Sequence, residues 1–486
     1  MRPYAMLISA CLGCLSAGPA YALDFAQAYD AAVQADARLR AAQAALSAGL
    51  EQVPQAQSQW RPQASWSMSR ARNELRTVGE SSLGLTSVTR DRYYSYSKQL
   101  SIKQALINRA LDAGLTLAQR QEDEARARFD AAALDLVERL GTLYLGVLLA
   151  KQQVQLLRVE QEQQQALLQA AQNLFAAGNG TRTDIDEAQA SFDMTVARAL
   201  EAQQALDLAR HELSAVVGMD VGELQEVAVD AFLAMPPVER TLSEWMTRAH
   251  QASPELRAAQ ARAAAASASL QRAQAGHWPT LDAVVQWSDT GSENVTSVSS
   301  EYQRSSISLQ FNLPLYQGGY VDSRVRQTEA ERVQAAAEQE ALQRDIDLRV
   351  HREYRRVTEG ELRIRALEQA QASAQRALES ARRSQEAGLR SVIDVLNAQQ
   401  RAAGAERDIA RARYDYLLAR LRLQVLAGES INDIIADLNQ SLAAASHSPE
   451  ASEVRRPMAS RALGDALQAP RAEVRASVEP ITPALW

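Results

Sequence analysis

The side chains of this 486-residue sequence that could do acid, base or nucleophilic chemistry are not arranged for catalysis. No G-x-x-x-x-G-K, G-x-S-x-G or H-E-x-x-H occurs, so the usual cradles for a phosphate, a nucleophilic serine or a zinc ion have no counterpart. His211, His250, His277, His351 and His447 are scattered singly, and the two cysteines, Cys11 and Cys14, sit near the start. Most carboxylates follow helical charge patterning and need no acid–base role. The sequence therefore predicts no enzyme, no cofactor and no metal site. What stands out instead is one recurrent place. Asp184 and Asp394 each follow an Ala-Gly step, Ala177-Gly178 and Ala387-Gly388, with Arg390 beside the second. A carboxylate near a guanidinium makes a contact that can be broken.

These residues need elements to hold them. Met1-Arg2, an apolar run from Met6 to Ser16, and Ala20-Tyr21-Ala22 read as a secretory signal peptide over 1–22. Its removal takes both cysteines, leaving no thiol for a disulfide or a metal. Hydrophobic residues are 46% and charged residues 23%, so the chain can build a core. With 21 glycines and 14 prolines, breakers are scarce and long helices are favoured. The net charge of −7 argues against nucleic acid as a partner. The longest apolar run, Leu140 to Ala150, includes Gly141 and Gly146 and is too short to span a bilayer as a helix. The exported chain is then either soluble in the periplasm or enters a membrane as a β-barrel.

The chain repeats itself. Leu39-Arg40-Ala41-Ala42-Gln43 returns 217 positions later as Leu256-Arg257-Ala258-Ala259-Gln260, and Pro62 returns as Pro279. Further on the offset is 210: Asp184 matches Asp394, Ala188-Gln189 matches Ala398-Gln399, and Gly218 matches Gly428. The expected divisions are a first repeat over 23–220, a linker over 221–240, a second repeat over 241–430 and a C-terminal segment over 431–486. The proline-rich part after 444 reads as disordered.

Each repeat reads as a helix (24–58 and 241–275), two alternating segments, and a long helical hairpin. Leu281, Ala283, Val285 and Trp287, then Ile307, Leu309, Phe311 and Leu313, alternate with polar residues at strand period. Ala64, Trp66 and Met68, then Tyr94, Tyr96, Leu100 and Ile102, do so more weakly, with Lys98 interrupting. Stretches rich in Gly, Ser and Thr at 77–91 and 289–303 read as loose loops. Helices are expected over 109–177 and 320–387, each roughly 100 Å long at 1.5 Å per residue. A seven-residue grid of Leu140, Val147, Val154, Gln161, Leu168 and Phe175, matched by Val350, Val357, Ile364, Gln371 and Leu378, predicts coiled-coil-like packing. Return helices over 184–217 and 392–427 follow. The fold class is mostly α with a small β part. Four strands are too few to close a membrane barrel, so several chains must combine.

The residues also resemble those of a known family. Leu313-Pro314-Leu315-Tyr316-Gln317-Gly318-Gly319 looks like the strand-to-helix passage of the TolC family of outer-membrane efflux and secretion ducts. Ala387-Gly388-Leu389-Arg390-Ser391-Val392-Ile393-Asp394-Val395-Leu396-Asn397-Ala398-Gln399 resembles its hairpin tip. The resemblance implies a homotrimer with a shared 12-stranded outer-membrane barrel joined to a periplasmic α-helical barrel. It implies outer-membrane lipid, a periplasmic adaptor and an inner-membrane ABC transporter or other pump as partners. By position it also implies a periplasmic gate in which Arg390 pairs with Thr183 and Asp184. Gln385 stands where the family has a tyrosine. Asp394 matches a lumen-facing aspartate that three copies would set in an acidic ring. The ring's second aspartate is replaced by Asn397, whose repeat partner is Glu187. The non-lipidated start and the tip look most like the type I protein secretion branch. A multidrug or small-molecule efflux component and a pore-less periplasmic coiled-coil adaptor are the rival readings.

Overall fold

The computed structural model describes residues 23–80, 84, 86–225, 240–293, 300–387 and 389–443. The expected signal peptide, most of the linker, Gly388 and the tail after 443 lie outside the described residues.

The first repeat opens on three helices where one was expected over 24–58: α1 (Phe25–Ala35), α2 (Ala37–Leu50) and α3 (Gln52–Ser58). The first break is made by Asp36. Its backbone is extended, and its carboxylate accepts the Leu39 N–H at 2.7 Å, so it ends one helix while capping the next. The strands are β1 (Gln63–Glu80) and β2 (Thr86–Asn108), and the hairpin is α4 (Arg109–Ala176) with α5 (Arg182–Val217). The second repeat has α6 (Leu242–Ala252), α7 (Pro254–Gln274), β3 (Thr280–Ser292), β4 (Ser300–Asn312), α8 (Tyr320–Glu386) and α9 (Val392–Leu426). The helix expected over 241–275 is likewise split, at Ser253, where Pro254 takes the first helical position and cannot continue an earlier turn. A last helix, α10 (Ile431–Ala443), closes the described chain.

Among the described residues, four strands lie in one antiparallel sheet in the order β1-β2-β3-β4. The β2–β3 ladder, from Ser95↔Ser292 to Asn108↔Thr280, joins the two repeats. The first strand pair runs through most of the stretch expected as a loop: Thr77 pairs with Thr89 and Val78 with Val88. β-branched Thr and Val suit a pleated surface and outweigh the glycines and serines between them. The second loop is also shorter than expected, since pairing continues to Ser292↔Ser300. Among the described residues, no strand covers the outer edges of β1 and β4.

Cross-strand partners share a face. Ala64, Ile102, Val285 and Ile307 form one such row, and Trp66, Leu100 and Trp287 the next; the Trp66 and Trp287 rings stack at 5.9 Å. Ile307 is 84% exposed. The opposite face carries rows such as Ser65, Ser101, Gln286 and Ser306. One face is thus apolar and bare, the other polar.

The helices α4 and α8 run 68 and 67 residues, about 100 Å each. Leu140, Val147, Val154 and Leu168 on the first, and Val350, Val357, Ile364 and Leu378 on the second, are buried as the seven-residue grid predicts. Gln161 and Gln371 are half-buried, and Phe175, near the hairpin tip, is 45% exposed. Midway along, α4 is tied to the first described residue, Leu23. Leu23 bridges Leu224 in parallel, and the buried Tyr144 hydroxyl donates to the Leu23 carbonyl at 2.8 Å, with that of Gln225 at 3.3 Å. Burial pushes the Tyr144 phenol far above its ordinary range. Its ring meets Phe25 edge-on at 5.6 Å.

Candidate functional site

The predicted residues fall at the two ends of the long helices. At the sheet end, Pro314, Tyr316, Gly318 and Gly319 carry the chain from β4 into α8. Tyr316 is 87% exposed. Gly318 and Gly319 both have positive φ, 62° and 80°, and Gly319 caps α8. Nothing lies where a Cβ of either would stand, so the demand for glycine is one of backbone conformation.

At the far end the two hairpin tips are built alike. The Thr181 hydroxyl accepts the Asp184 N–H at 3.1 Å, and Asp184 Oδ2 accepts the Thr181 N–H and hydroxyl at 3.0 and 2.7 Å. The Ser391 hydroxyl accepts the Asp394 N–H at 3.3 Å, and Asp394 Oδ2 accepts the Ser391 N–H and hydroxyl at 3.1 and 3.0 Å. Each is a reciprocal cap on a helix start. The Ser391 N–H, then its hydroxyl, hold the Asp394 carboxyl below the usual carboxylate range, and the Arg390 charge adds to this. The sequence reading assigned no cap to either aspartate. The signal was present in Thr181-Arg182-Thr183-Asp184 and Ser391-Val392-Ile393-Asp394, hydroxyl residues three before an acid.

Arg390 and Thr183 are exposed, Asp184 and Glu187 half-exposed, and Gln385 half-buried in the last turn of α8. Arg390 makes no ion pair with another described side chain, so the chain by itself does not bring Arg390 onto Asp184. Both Thr181 bonds fall on Oδ2 of Asp184, which leaves Oδ1 open to a partner. The same holds for Oδ1 of Asp394.

Between tip and middle lies a charged cluster that sequence reasoning missed. Glu160, 4% exposed, accepts from Arg407 at 2.7 Å, with Arg198 at 4.0 Å. Close by, Gln399 donates to Gln163 at 2.8 Å. The partners come from three helices far apart in the chain, so no local pattern announces them. Among the described residues, no group of three or more histidines, cysteines, aspartates or glutamates could hold a metal ion, and no helix is long and apolar enough to cross a membrane.

A mostly helical chain with one small antiparallel sheet, bare and apolar on one face, has the form of an outer-membrane channel subunit. The chain belongs to the outer membrane efflux protein family, whose sequence model matches residues 28–219 and 245–429. It is 30% identical over 436 residues to the proteases secretion protein PrtF of Dickeya chrysanthemi, spanning 88% of this chain and 93% of that one. It is 28% identical over 446 residues to the outer membrane protein TolC of Vibrio cholerae, spanning 90% and 98%. Among solved structures it resembles the outer membrane protein VceC of Vibrio cholerae, with a TM-score of 0.72 and 18% identity over 84% of this chain and 96% of that one. It also resembles the CmeC outer membrane channel of Campylobacter jejuni, with a TM-score of 0.72 and 13% identity over 86% and 89%. The fold is therefore that of the outer-membrane channels, and the chain is an outer-membrane protein with a long periplasmic extension.

Proposed function

We propose that this chain forms, as a homotrimer, a passive duct that carries a protein out of the cell by type I secretion. It would work with a periplasmic adaptor and an inner-membrane ABC transporter. The observation that carries the duct is the open sheet. Four strands with one apolar and one polar face, whose outer edges pair with no strand among the described residues, run directly into helices about 100 Å long. A membrane barrel has at least eight strands and no free edge, and three sheets joined edge to edge give twelve. The apolar face then meets lipid and the polar face lines the pore. Exposed leucines on the helices, Leu200 and Leu208 on α5 and Leu348 and Leu362 on α8, support neighbours along the periplasmic part as well. A protein cargo is supported by the likeness to a relative named for protease secretion.

In this reading the tips are the gate. Arg390 of one hairpin reaches Asp184 Oδ1 and Thr183 of the next, with Gln385 in place of a tyrosine. Three Asp394 carboxylates, each with Glu187 from the neighbouring hairpin, form an acidic ring. The duct performs no reaction, and the energy for transport comes from the pump.

The test is the culture-supernatant proteome of a strain lacking the gene, set against its parent. Loss of a secreted protein, restored by complementation, is the expected result. An unchanged supernatant with raised drug sensitivity would replace the protein cargo by small molecules, a reading that the family's description as efflux proteins favours. A soluble periplasmic chain with no heat-sensitive trimer would overturn the duct itself.

A further inference from the structure

The outward face of the β1–β2 hairpin changes character above its apolar band. In register, Arg70 faces Tyr96, Arg72 faces Tyr94, Glu74 faces Arg92 and Arg76 faces Arg90. Residues two apart on a strand keep to one face, so these point the same way as Trp66 and Met68. From Arg70 to Val78 and Val88 to Tyr96, that face carries five exposed arginines against one acid, Glu74. The opposite face over the same span carries Asp91 and no basic residue.

Their height follows from the strand geometry. From Leu313 up to the row of Lys98 and Asp289, ten residues rise about 33 Å along the strand. A tilt near 40° leaves about 25 Å, the thickness of the apolar band of a membrane barrel. The lower Lys103–Asp282 pair, at 2.9 Å, lies on the opposite face; on this face the Lys98–Asp289 pair at 3.0 Å is the first charged row. Just above it, the Arg70 guanidinium lies 5.2 Å from the Tyr94 ring and the Lys98 ammonium 5.1 Å from the Tyr96 ring, as interfacial aromatics and their cations do. Among the described residues the β3–β4 ladder reaches Ser292↔Ser300, level with Ser95, while the β1–β2 pairing runs on to Glu80↔Thr86. The arginines of this first hairpin occupy roughly the next 5–20 Å, the depth of lipid headgroups.

Arg76 and Arg90 stand directly opposite each other, an arrangement that costs stability. No described carboxylate pairs with either. Glu74 is taken by Arg92 at 3.6 Å, Glu293 accepts the Tyr94 N–H, and Glu301 faces Tyr96. An anion between the two guanidiniums would turn the repulsion into two charge-assisted bonds.

We propose that this arginine face binds the phosphate groups of the outer-leaflet glycolipid, anchoring the trimer at a set height in the membrane. The inference rests on the sheet spanning the bilayer, and the heat-sensitive trimer reports on that separately. The experiment embeds the trimer in nanodiscs containing bisphosphorylated glycolipid or its dephosphorylated form. Bound glycolipid is then counted by native mass spectrometry after detergent extraction. Replacement of Arg72, Arg76, Arg90 and Arg92 by serine is expected to lower retention of the phosphorylated form at least about tenfold. The dephosphorylated form is expected to be held weakly by wild type and variant alike. The single changes Arg76→Ser and Arg90→Ser keep the test open if the fourfold variant does not assemble. Each is expected to raise the trimer's heat resistance in lipid-free detergent, by removing the facing charge, while lowering glycolipid retention. Equal retention of the two glycolipids, or retention unchanged in the variants, would overturn the proposal. Lost secretion with retention intact would overturn it too, by giving the patch to the cargo.

Discussion

Nη1 of Arg407 lies 2.7 Å from Oε2 of Glu160 and ties the return helix α9 to the long helix α4 inside the periplasmic part. A carboxylate this deeply buried is stable only while it is paired. Arg407→Ala should therefore lower stability by about 3 kcal/mol, the low end for a broken buried pair because Arg198 remains at 4.0 Å. The double variant Glu160→Met with Arg407→Met should recover much of the loss, because no charge is left stranded. Heat-dissociation temperatures of the purified trimers measure both. A single variant as stable as wild type would show that water reaches Glu160.

The tip predicts a conductance change. Exposed ion pairs are worth roughly 0.2–1 kcal/mol each, and three would act together at the proposed gate. Arg390→Ala or Asp184→Ala should raise the open fraction in planar bilayers by about three- to a hundredfold, and combining them should add little. Additive effects would mean that the two residues do not contact each other.

Asp394→Asn should weaken block by multivalent cations added from the periplasmic side. The pH dependence has a defined sign. Bonds from Ser391 hold the folded carboxyl below its ordinary value of 3.8, so its charge persists as pH falls through that value. Block should survive acidification to about pH 4 and fade only below. The cap behaves in the same way: its stabilising effect is complete above the unfolded value and is lost as pH falls through the lower folded one. Ser391→Ala should move the loss of block toward higher pH. A titration curve that does not shift in this variant would remove Ser391 as the cause.

Tyr144→Phe removes the hydroxyl that pins Leu23 beside the segment after α5. About 1 kcal/mol should be lost locally, since one O–H donor, shared between the Leu23 and Gln225 carbonyls, is removed. Limited proteolysis near Glu223 should quicken while the trimer persists. Unchanged cleavage would mean that the Leu23–Leu224 bridge holds without the phenol.

The long helices were legible in the sequence to within a residue or two, because nothing but helix suits such runs of alanine, glutamine and leucine, and Gly178 marks one reversal. The breaks at Asp36 and Ser253 were not. Helical propensity is a sum over many residues, whereas a break is decided by one cap or one proline. The extent of the first hairpin was misread for a related reason. Glycine and serine suggest a loop locally, but pairing of Thr77 with Thr89 and Val78 with Val88 involves residues the local pattern does not compare. The tip residues were placed by likeness to a family, and the capping work of Asp184 and Asp394 was legible in four-residue patterns. The Glu160 cluster was out of reach, since three helices must be packed before its members meet.

The bare edges of β1 and β4 have a genetic consequence. Under the three-chain closure proposed above, no subunit completes its own barrel, and every wall is a joint product. A chain that folds and pairs its edges but cannot pass cargo would enter trimers as readily as an intact one. With both made in equal amounts, only about one duct in eight would contain three sound chains. Defects at the tip should therefore be dominant, whereas defects that abolish edge pairing should be recessive, because such chains never reach a partner to spoil.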